Sequence, residues 1–219
     1  MKLIFSGVLL FLISALSFAQ DFPSKSFHKG AVYLNDGTTE LGQIKYDLEA
    51  DAIVLQLPDQ KGVATYNANQ FKSFRILPFG SDLPRVFYTL PYRGDNGYRR
   101  PKIFEAILDG ETSLIGREYI IVKSRPVNRG FNRRSIYDPF YDPYENIYTT
   151  KYLAYELYIV DQDGGIKLLG NRRKDVIHAF EDHHAELRKF IKSEKLRMDK
   201  LEDVAQLVDY YNSLNAGTE

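Results

Sequence analysis

The chain has 219 residues, with 29 Lys and Arg against 29 Asp and Glu. That balance excludes a strongly basic nucleic-acid binder and an acidic tail protein, and 44% hydrophobic residues with 26% charged ones exclude wholesale disorder. The absence of cysteine excludes disulfides, cysteine nucleophiles and thiolate metal centres.

Residues 1–19 read as a secretory signal peptide. Lys2 is a short basic start, Leu3 to Leu16 is nearly unbroken apolar sequence, and Ser17-Phe18-Ala19 offers small residues for cleavage before Gln20. Polar Gln20-Asp21 cuts the stretch short of the roughly 20 residues a membrane anchor needs. The expected location is secreted or periplasmic, with no transmembrane segment after signal cleavage. Cleavage leaves 200 residues with 28 basic and 29 acidic groups, enough for one real core.

Residues 20–170 read as a β-rich domain. Ala31 to Leu34 meets the turn Asp36-Gly37, and Glu40 to Tyr46 follows, a hairpin signal because glycine accepts the positive φ of such turns. Further strands are predicted at Ile53–Leu57, Phe71–Leu77 and Arg85–Leu90, with Pro58, Pro78 and Pro84 as breaks. Ile103 to Leu108 turns at Asp109-Gly110 into Ser113 to Val122. Tyr152 to Val160 turns through Asp161 to Gly165 into Ile166 to Leu169. The Asp161-x-Asp163-Gly164 start of a calcium loop lacks oxygen donors at the later positions and reads as a hairpin turn. Eight or nine short strands predict an antiparallel barrel or sandwich.

Between strand arms 113–122 and 148–160 lies a long loop, 123–150. Lys123, Arg125, Arg129, Arg133 and Arg134 are followed by a tandem repeat, Tyr137-Asp138-Pro139-Phe140 and Tyr141-Asp142-Pro143-Tyr144. Its prolines forbid a continuous helix or central strand. Seven Tyr and two Phe fall within Phe131 to Tyr158. Tyrosine offers a flat apolar face with a polar tip, and arginine adds cation–π and carboxylate recognition. Long loops are disproportionately functional. The candidate binding residues are therefore Arg129, Arg133, Arg134, Tyr137, Phe140, Tyr141, Tyr144 and Tyr148. The plainer alternative is that these rings pin the loop to the sheet.

Residues 171–219 switch to helical periodicity. Val176, Ile177, Phe180, His184, Leu187, Phe190 and Ile191 form one helical face, with Asn171 as N-cap. A second helix opens at Asp199-Lys200-Leu201-Glu202, spaced as a capping box, and exposes Leu201, Val204, Leu207, Val208, Tyr211 and Leu214 on one face. The fold class is thus α+β: an antiparallel β barrel or sandwich followed by two C-terminal amphipathic helices packed on the same domain. Their charges, nine basic and eight acidic over 171–203, interleave as on a solvated face.

Catalytic motifs are not evident. No Gly-x-Ser-x-Gly or phosphate-cradling glycine loop occurs. His178, His183 and His184 lack a ligand spacing that suggests a metal, so no metal or other cofactor is expected. Glu105, Glu118 and Glu156 lie on strands and are the carboxylates a glycosidase-like cleft would use. If Tyr155 and Leu157 face inward, Glu156 faces water with Tyr152 and Tyr158.

The layout resembles uncharacterised secreted proteins of Bacteroidetes. The resemblance rests on the ending Ala19-Gln20, the run Gly30-Ala31-Val32-Tyr33-Leu34-Asn35-Asp36-Gly37, the strand Arg85-Val86-Phe87, and the stretch from Phe190-Ile191-Lys192 to Tyr210-Tyr211-Asn212-Ser213-Leu214. It implies an envelope location and supplies no activity. The expected function is an exported, non-enzymatic interaction protein that binds an envelope protein or glycan through the Arg/Tyr-rich loop. The alternatives are a hydrolase acting on envelope glycans or peptides, and a small-ligand carrier. The near-neutral mature chain argues against nucleic acid as a partner.

Overall fold

The computed structural model describes residues 23–58, 62–94, 97–126 and 147–216. The signal segment 1–19 lies outside them. After a short 3-10 turn, Pro23–Lys25, ten strands follow: β1 (His28–Leu34), β2 (Thr39–Asp47), β3 (Ala52–Gln56), β4 (Val63–Asn67), β5 (Phe71–Leu77), β6 (Arg85–Arg93), β7 (Arg99–Leu108), β8 (Ser113–Pro126), β9 (Ile147–Val160) and β10 (Ile166–Leu169). Three helices close the chain: α1 (Arg173–Ala179), α2 (His184–Ser193) and α3 (Leu201–Ala216).

The strands form one antiparallel sheet in the order β10-β9-β8-β7-β6-β5-β1-β2-β3-β4. It is open, with β4 and β10 at its two edges, so the predicted barrel does not close, and among the described residues no second sheet makes a sandwich. The reason is a division of labour along the sheet: one half curls on itself, and helices cover the other.

In the curled half, Gly30 and Gly42 face each other across β1 and β2. A Cβ on Gly30 would come within 2.3 Å of the Arg75 carbonyl oxygen, and one on Gly42 within 2.3 Å of the Gln56 carbonyl oxygen. Only glycine permits that approach. Inside the curl, Val32, Ile44, Tyr46, Ile53, Leu55, Phe71, Phe74, Ile76, Phe87 and Ile103 make one core. The Phe74 and Phe87 rings stack 4.5 Å apart. Val32 and Ile44 are fully buried in this interior.

In the other half, Leu114, Ile159 and Leu169 of the sheet meet Val176, Ile177, Leu187, Ile191, Leu207 and Val208 of the helices. The opposite face of these strands carries a smaller cluster of Phe104, Ile115 and Tyr158. Tyr158 is thus buried, contrary to its expected exposure beside Glu156, because Phe104 and Tyr92 receive its ring edge-on at 5.2 and 5.5 Å.

Three helices replace the expected two. The apolar face predicted as one helix bends where Phe180 turns extended and His183 takes φ +52°, a left-handed conformation that histidine tolerates better than most residues. No glycine or proline marks the break. Arg172, not Asn171, is the N-cap of α1, without a side-chain cap. At α3 the first intrahelical bond runs from the Val204 amide to the Lys200 carbonyl, and Asp203 rather than Asp199 turns back to accept an upstream amide, that of Arg197. Asp199 instead pairs with the Arg197 guanidinium at 2.7 Å.

Hairpin turns match their sequence signals. Thr38 donates its amide to the Asp36 side chain at 2.8 Å, and Gly37 has φ +91°. The Asp161 carboxylate accepts the Gly165 amide at 2.6 Å, which gives this acid a turn role rather than a calcium one. β4 lies in sequence that no strand was expected to occupy.

Candidate functional site

β8 and β9 pair without interruption over 14 residues each, from Ser113 opposite Val160 to Pro126 opposite Ile147. Their lateral neighbours stop early. β7 pairs with β8 only as far as Gly116, and β10 pairs with β9 only as far as Leu157. Beyond that point, among the described residues, the two strands have only each other in the ladder. The outer eight pairs, Tyr119 opposite Ala154 to Pro126 opposite Ile147, form an arm roughly 25 Å long.

Burial runs out along the arm. Leu114 to Glu118 are buried, whereas Tyr119, Val122, Lys123 and Tyr152 are exposed. Lys123 Nζ sits 5.3 Å from the centre of the Tyr152 ring, a cation–π contact across the two strands.

The strands extend further than the sequence suggested, so the loop predicted at 123–150 narrows at both ends. Tyr148 belongs to β9, opposite Arg125. Arg129, Arg133, Arg134, Tyr137, Phe140, Tyr141 and Tyr144 lie outside the described residues, in the segment that joins the tips of β8 and β9.

An isolated two-stranded ribbon is marginal in water, so the root of the arm decides its rigidity. The β6–β7 hairpin separates from β8 there. Pro91 and Pro101 oppose each other in that hairpin, and proline cannot donate to a further strand. At the split, side chains replace the missing ladder. The Ile103 amide donates to Asp51 Oδ1 at 3.0 Å, and Arg117 Nη1 donates to the Ile103 carbonyl at 2.7 Å. Arg117 also pairs with Asp51 at 2.7 Å and donates through Nη2 to the Leu48 carbonyl. Leu48 and Asp51 belong to the β2–β3 turn, which the curl carries back over β7 and β8.

Beside this pair lies a second buried network. Arg85, at the start of β6, donates to both oxygens of Glu105 on β7, at 2.7 and 2.6 Å. The same guanidinium reaches Glu118 Oε1 on β8 and the Tyr46 hydroxyl on β2, the latter at 3.0 Å. Tyr46 donates to Glu118 Oε2 at 2.8 Å, and Tyr155 donates to Glu118 Oε1 at 2.9 Å. All four carboxylate oxygens therefore have partners. Burial opposes the charge on Arg85, but its bonds to Glu105 outweigh that cost and hold its pKa above the ordinary value. Burial, with the negative Glu118 alongside, raises both phenols despite the opposing Arg85 charge, so they stay protonated donors.

The three glutamates singled out in the sequence do not share a cleft. Glu105 and Glu118 converge on Arg85, while Glu156 is exposed and accepts the Tyr158 hydroxyl at 2.8 Å. A recess of about 280 Å³ opens at the arm's root, between Lys45–Glu49 and Glu118–Ile120. Glu118 reaches it with both oxygens already engaged.

Sequence reasoning missed Tyr46, Asp51, Arg85, Arg117 and Tyr155 as a group. One signal was present. Glu105 alternates with Ile103, and Arg85 with Phe87, so two opposite charges sit at inward positions of apolar strands. Their partnership is long-range and is not written in any spacing.

His178 and His184 bring their rings to 6.0 Å, and His184 Nε2 bonds the Phe180 carbonyl at 2.9 Å. Among the described residues no three His, Asp or Glu side chains gather as a metal-binding set, and no helix is long and apolar enough to cross a membrane. No protein-family model matches the chain, and neither a curated protein nor a solved structure matches it.

Proposed function

We propose that the chain is an exported, non-enzymatic interaction protein of the cell envelope, in which the β8–β9 arm presents the Arg/Tyr-rich segment 127–146 to a protein or glycan. The observation that carries this reading is the arm itself. A ribbon that outruns its sheet neighbours by ten residue pairs, yet is clamped at its root by two buried ion networks, suits presentation of a recognition segment. The chain that leaves its tips holds Arg129, Arg133 and Arg134, which offer charged recognition, and Tyr137, Phe140, Tyr141 and Tyr144, whose rings bind with little entropic cost.

The hydrolase alternative has less support, since Arg85 and two tyrosines occupy Glu105 and Glu118. The carrier alternative meets a rolled interior filled by Tyr46, Phe71, Phe74 and Phe87. The Bacteroidetes resemblance and the signal segment support export.

The test replaces 127–146 with a short Gly-Ser linker and uses parent and variant as baits against a detergent extract of envelope. The expected result is a partner retained by the parent alone, with Tm nearly unchanged. If nothing retained depends on the segment while the variant stays folded, the reading fails.

A further inference from the structure

The connection between β5 and β6, residues 78–84, carries two large apolar side chains, Phe79 and Leu83, where a solvated turn is ordinarily polar. The Ser81 amide donates to the Pro78 carbonyl at 3.1 Å, and Gly80 has φ +77°. Phe79 and Gly80 are thus the corners of a four-residue turn whose second corner demands a positive φ, which only glycine takes without strain. Ser81 Oγ then bonds the Leu83 carbonyl at 3.1 Å and its amide at 3.2 Å. The local bonds fix the loop and leave Phe79 wholly exposed and Leu83 77% exposed.

These two are not isolated. Lys29 pairs with Leu77, so the residues before β1 run beside those after β5. Phe27 and Leu77 are exposed at that same end of the sheet. Lys29 and Arg75 are exposed next to them, and neither enters an ion pair among the described residues. Asp82 is the one acid within the turn.

Shape and charge together identify the occupant. A convex apolar tip gains little from a flat protein surface, which covers one side of it. A lipid interface surrounds such a tip, and flanking lysine and arginine meet anionic headgroups. We propose that the β5–β6 turn docks the protein on an anionic lipid bilayer, with Phe79 and Leu83 entering the interface and Lys29 and Arg75 holding headgroup phosphates. β6 and β8 each pair antiparallel with β7 and so run in the same direction. The turn therefore stands at the end of the sheet where β8 begins, and the arm leaves from the other end. Docking through the turn keeps the arm free.

The chain contains no tryptophan, so Phe79→Trp installs a single reporter at the tip. The assay uses the chain from Gln20 onward, which keeps every described residue and omits the apolar leader. Its emission is expected to shift to the blue with phosphatidylcholine vesicles containing about 30% phosphatidylglycerol, and to shift much less with phosphatidylcholine alone. In co-sedimentation, Phe79→Ser combined with Leu83→Ser is expected to weaken binding at least about tenfold. Lys29→Ser with Arg75→Ser is expected to remove the preference for anionic vesicles. All four residues are exposed, so unchanged thermal unfolding separates lost docking from lost fold. Emission that stays unshifted with both vesicles overturns the proposal. So does sedimentation that the Phe79 and Leu83 substitutions leave intact, or equal binding to both compositions. Capture of a protein through this tip without vesicle binding overturns it as well.

Discussion

The curled half and the helix-covered half of the sheet bury similar strands with different materials. The curled half uses rings: Tyr46, Phe71, Phe74 and Phe87 are all fully buried, and Phe87 touches both Tyr46 and Phe74. The helix-covered half relies chiefly on Leu187, Ile191, Leu207 and Val208, with Phe180 against Tyr211 at 4.6 Å. A sheet that must cover itself leaves a gap that bulky rings fill, whereas helix ridges settle on strands chiefly through aliphatic side chains. Where the two regimes meet, neither covers the backbone completely, and the Arg85 and Arg117 networks take over.

The comparison breaks first at the rings. Phe74→Ala is expected to cost about 3–5 kcal/mol, because the stacked Phe87 ring, held by its other neighbours inside the curl, cannot collapse into the space. Leu207→Ala is expected to cost about 2–5 kcal/mol, with more relaxation available to a helix. Urea unfolding followed by far-UV dichroism and by tyrosine fluorescence checks both. If the halves form one cooperative unit, the two signals move together in each variant. Separate midpoints in Leu207→Ala would show that the helix layer unfolds on its own.

The junction supplies the next test. Arg85→Met leaves Glu105 and Glu118 buried against each other with no cation, an arrangement expected to cost roughly 3–5 kcal/mol. Adding Glu105→Gln and Glu118→Gln to that variant should recover much of the loss, since two neutral amides replace two uncompensated charges. A triple variant no more stable than Arg85→Met would mean that the guanidinium acts through packing on Tyr46 and Phe87, whose ring centres lie 5.8 and 5.2 Å away.

A smaller effect lies where the helix layer is tied to the sheet. Asn212 on α3 accepts the Thr112 amide and donates to the Thr112 carbonyl, both at 2.9 Å. Asn212→Ala strands both groups at a buried turn and is expected to cost about 1–3 kcal/mol. Faster amide exchange confined to 109–114 and α3 would locate the effect, and unchanged exchange there would count against the tie.

Local chemistry was legible in the sequence. Asp36-Gly37 and Asp161 to Gly165 announce their turns because a side-chain acceptor and a positive φ are properties of a few adjacent residues. The apolar face of α3 was legible for the same reason. Closure was not: alternation says which way a strand faces, not whether the sheet curls far enough to meet its own edge. The break at 180–183 was hidden because Phe180, His184 and Leu187 keep helical spacing across it. Strand β4 was missed because only Ala64 and Tyr66 turn inward in a five-residue edge. The arm's length was underread on its first strand, where Lys123 to Pro126 read as the start of the loop, whereas β9 begins at Ile147, one residue before the expected arm 148–160.

The least effect expected is at that β4 edge, where the curled half ends without a neighbour. Tyr66 donates its hydroxyl to Glu40 Oε2 on β2 at 2.7 Å. That bond pushes the phenol up to about 12 from its ordinary value near 10. Below the unfolded value, folded and unfolded chains both hold the proton and the bond contributes fully. Between the two values the unfolded chain loses its proton while the folded chain keeps it, so the contribution falls as pH rises and is gone above the folded value. Tyrosinate absorbance should therefore contain one late step near pH 12 that Tyr66→Phe removes, and the variant should lose less stability than the parent across that alkaline window. Amide exchange at Ala64 and Tyr66 should quicken in the parent over the same range. If parent and variant titrate alike, the edge is held by its ladder to β3 alone, and the curled half ends in a strand secured by backbone bonds only.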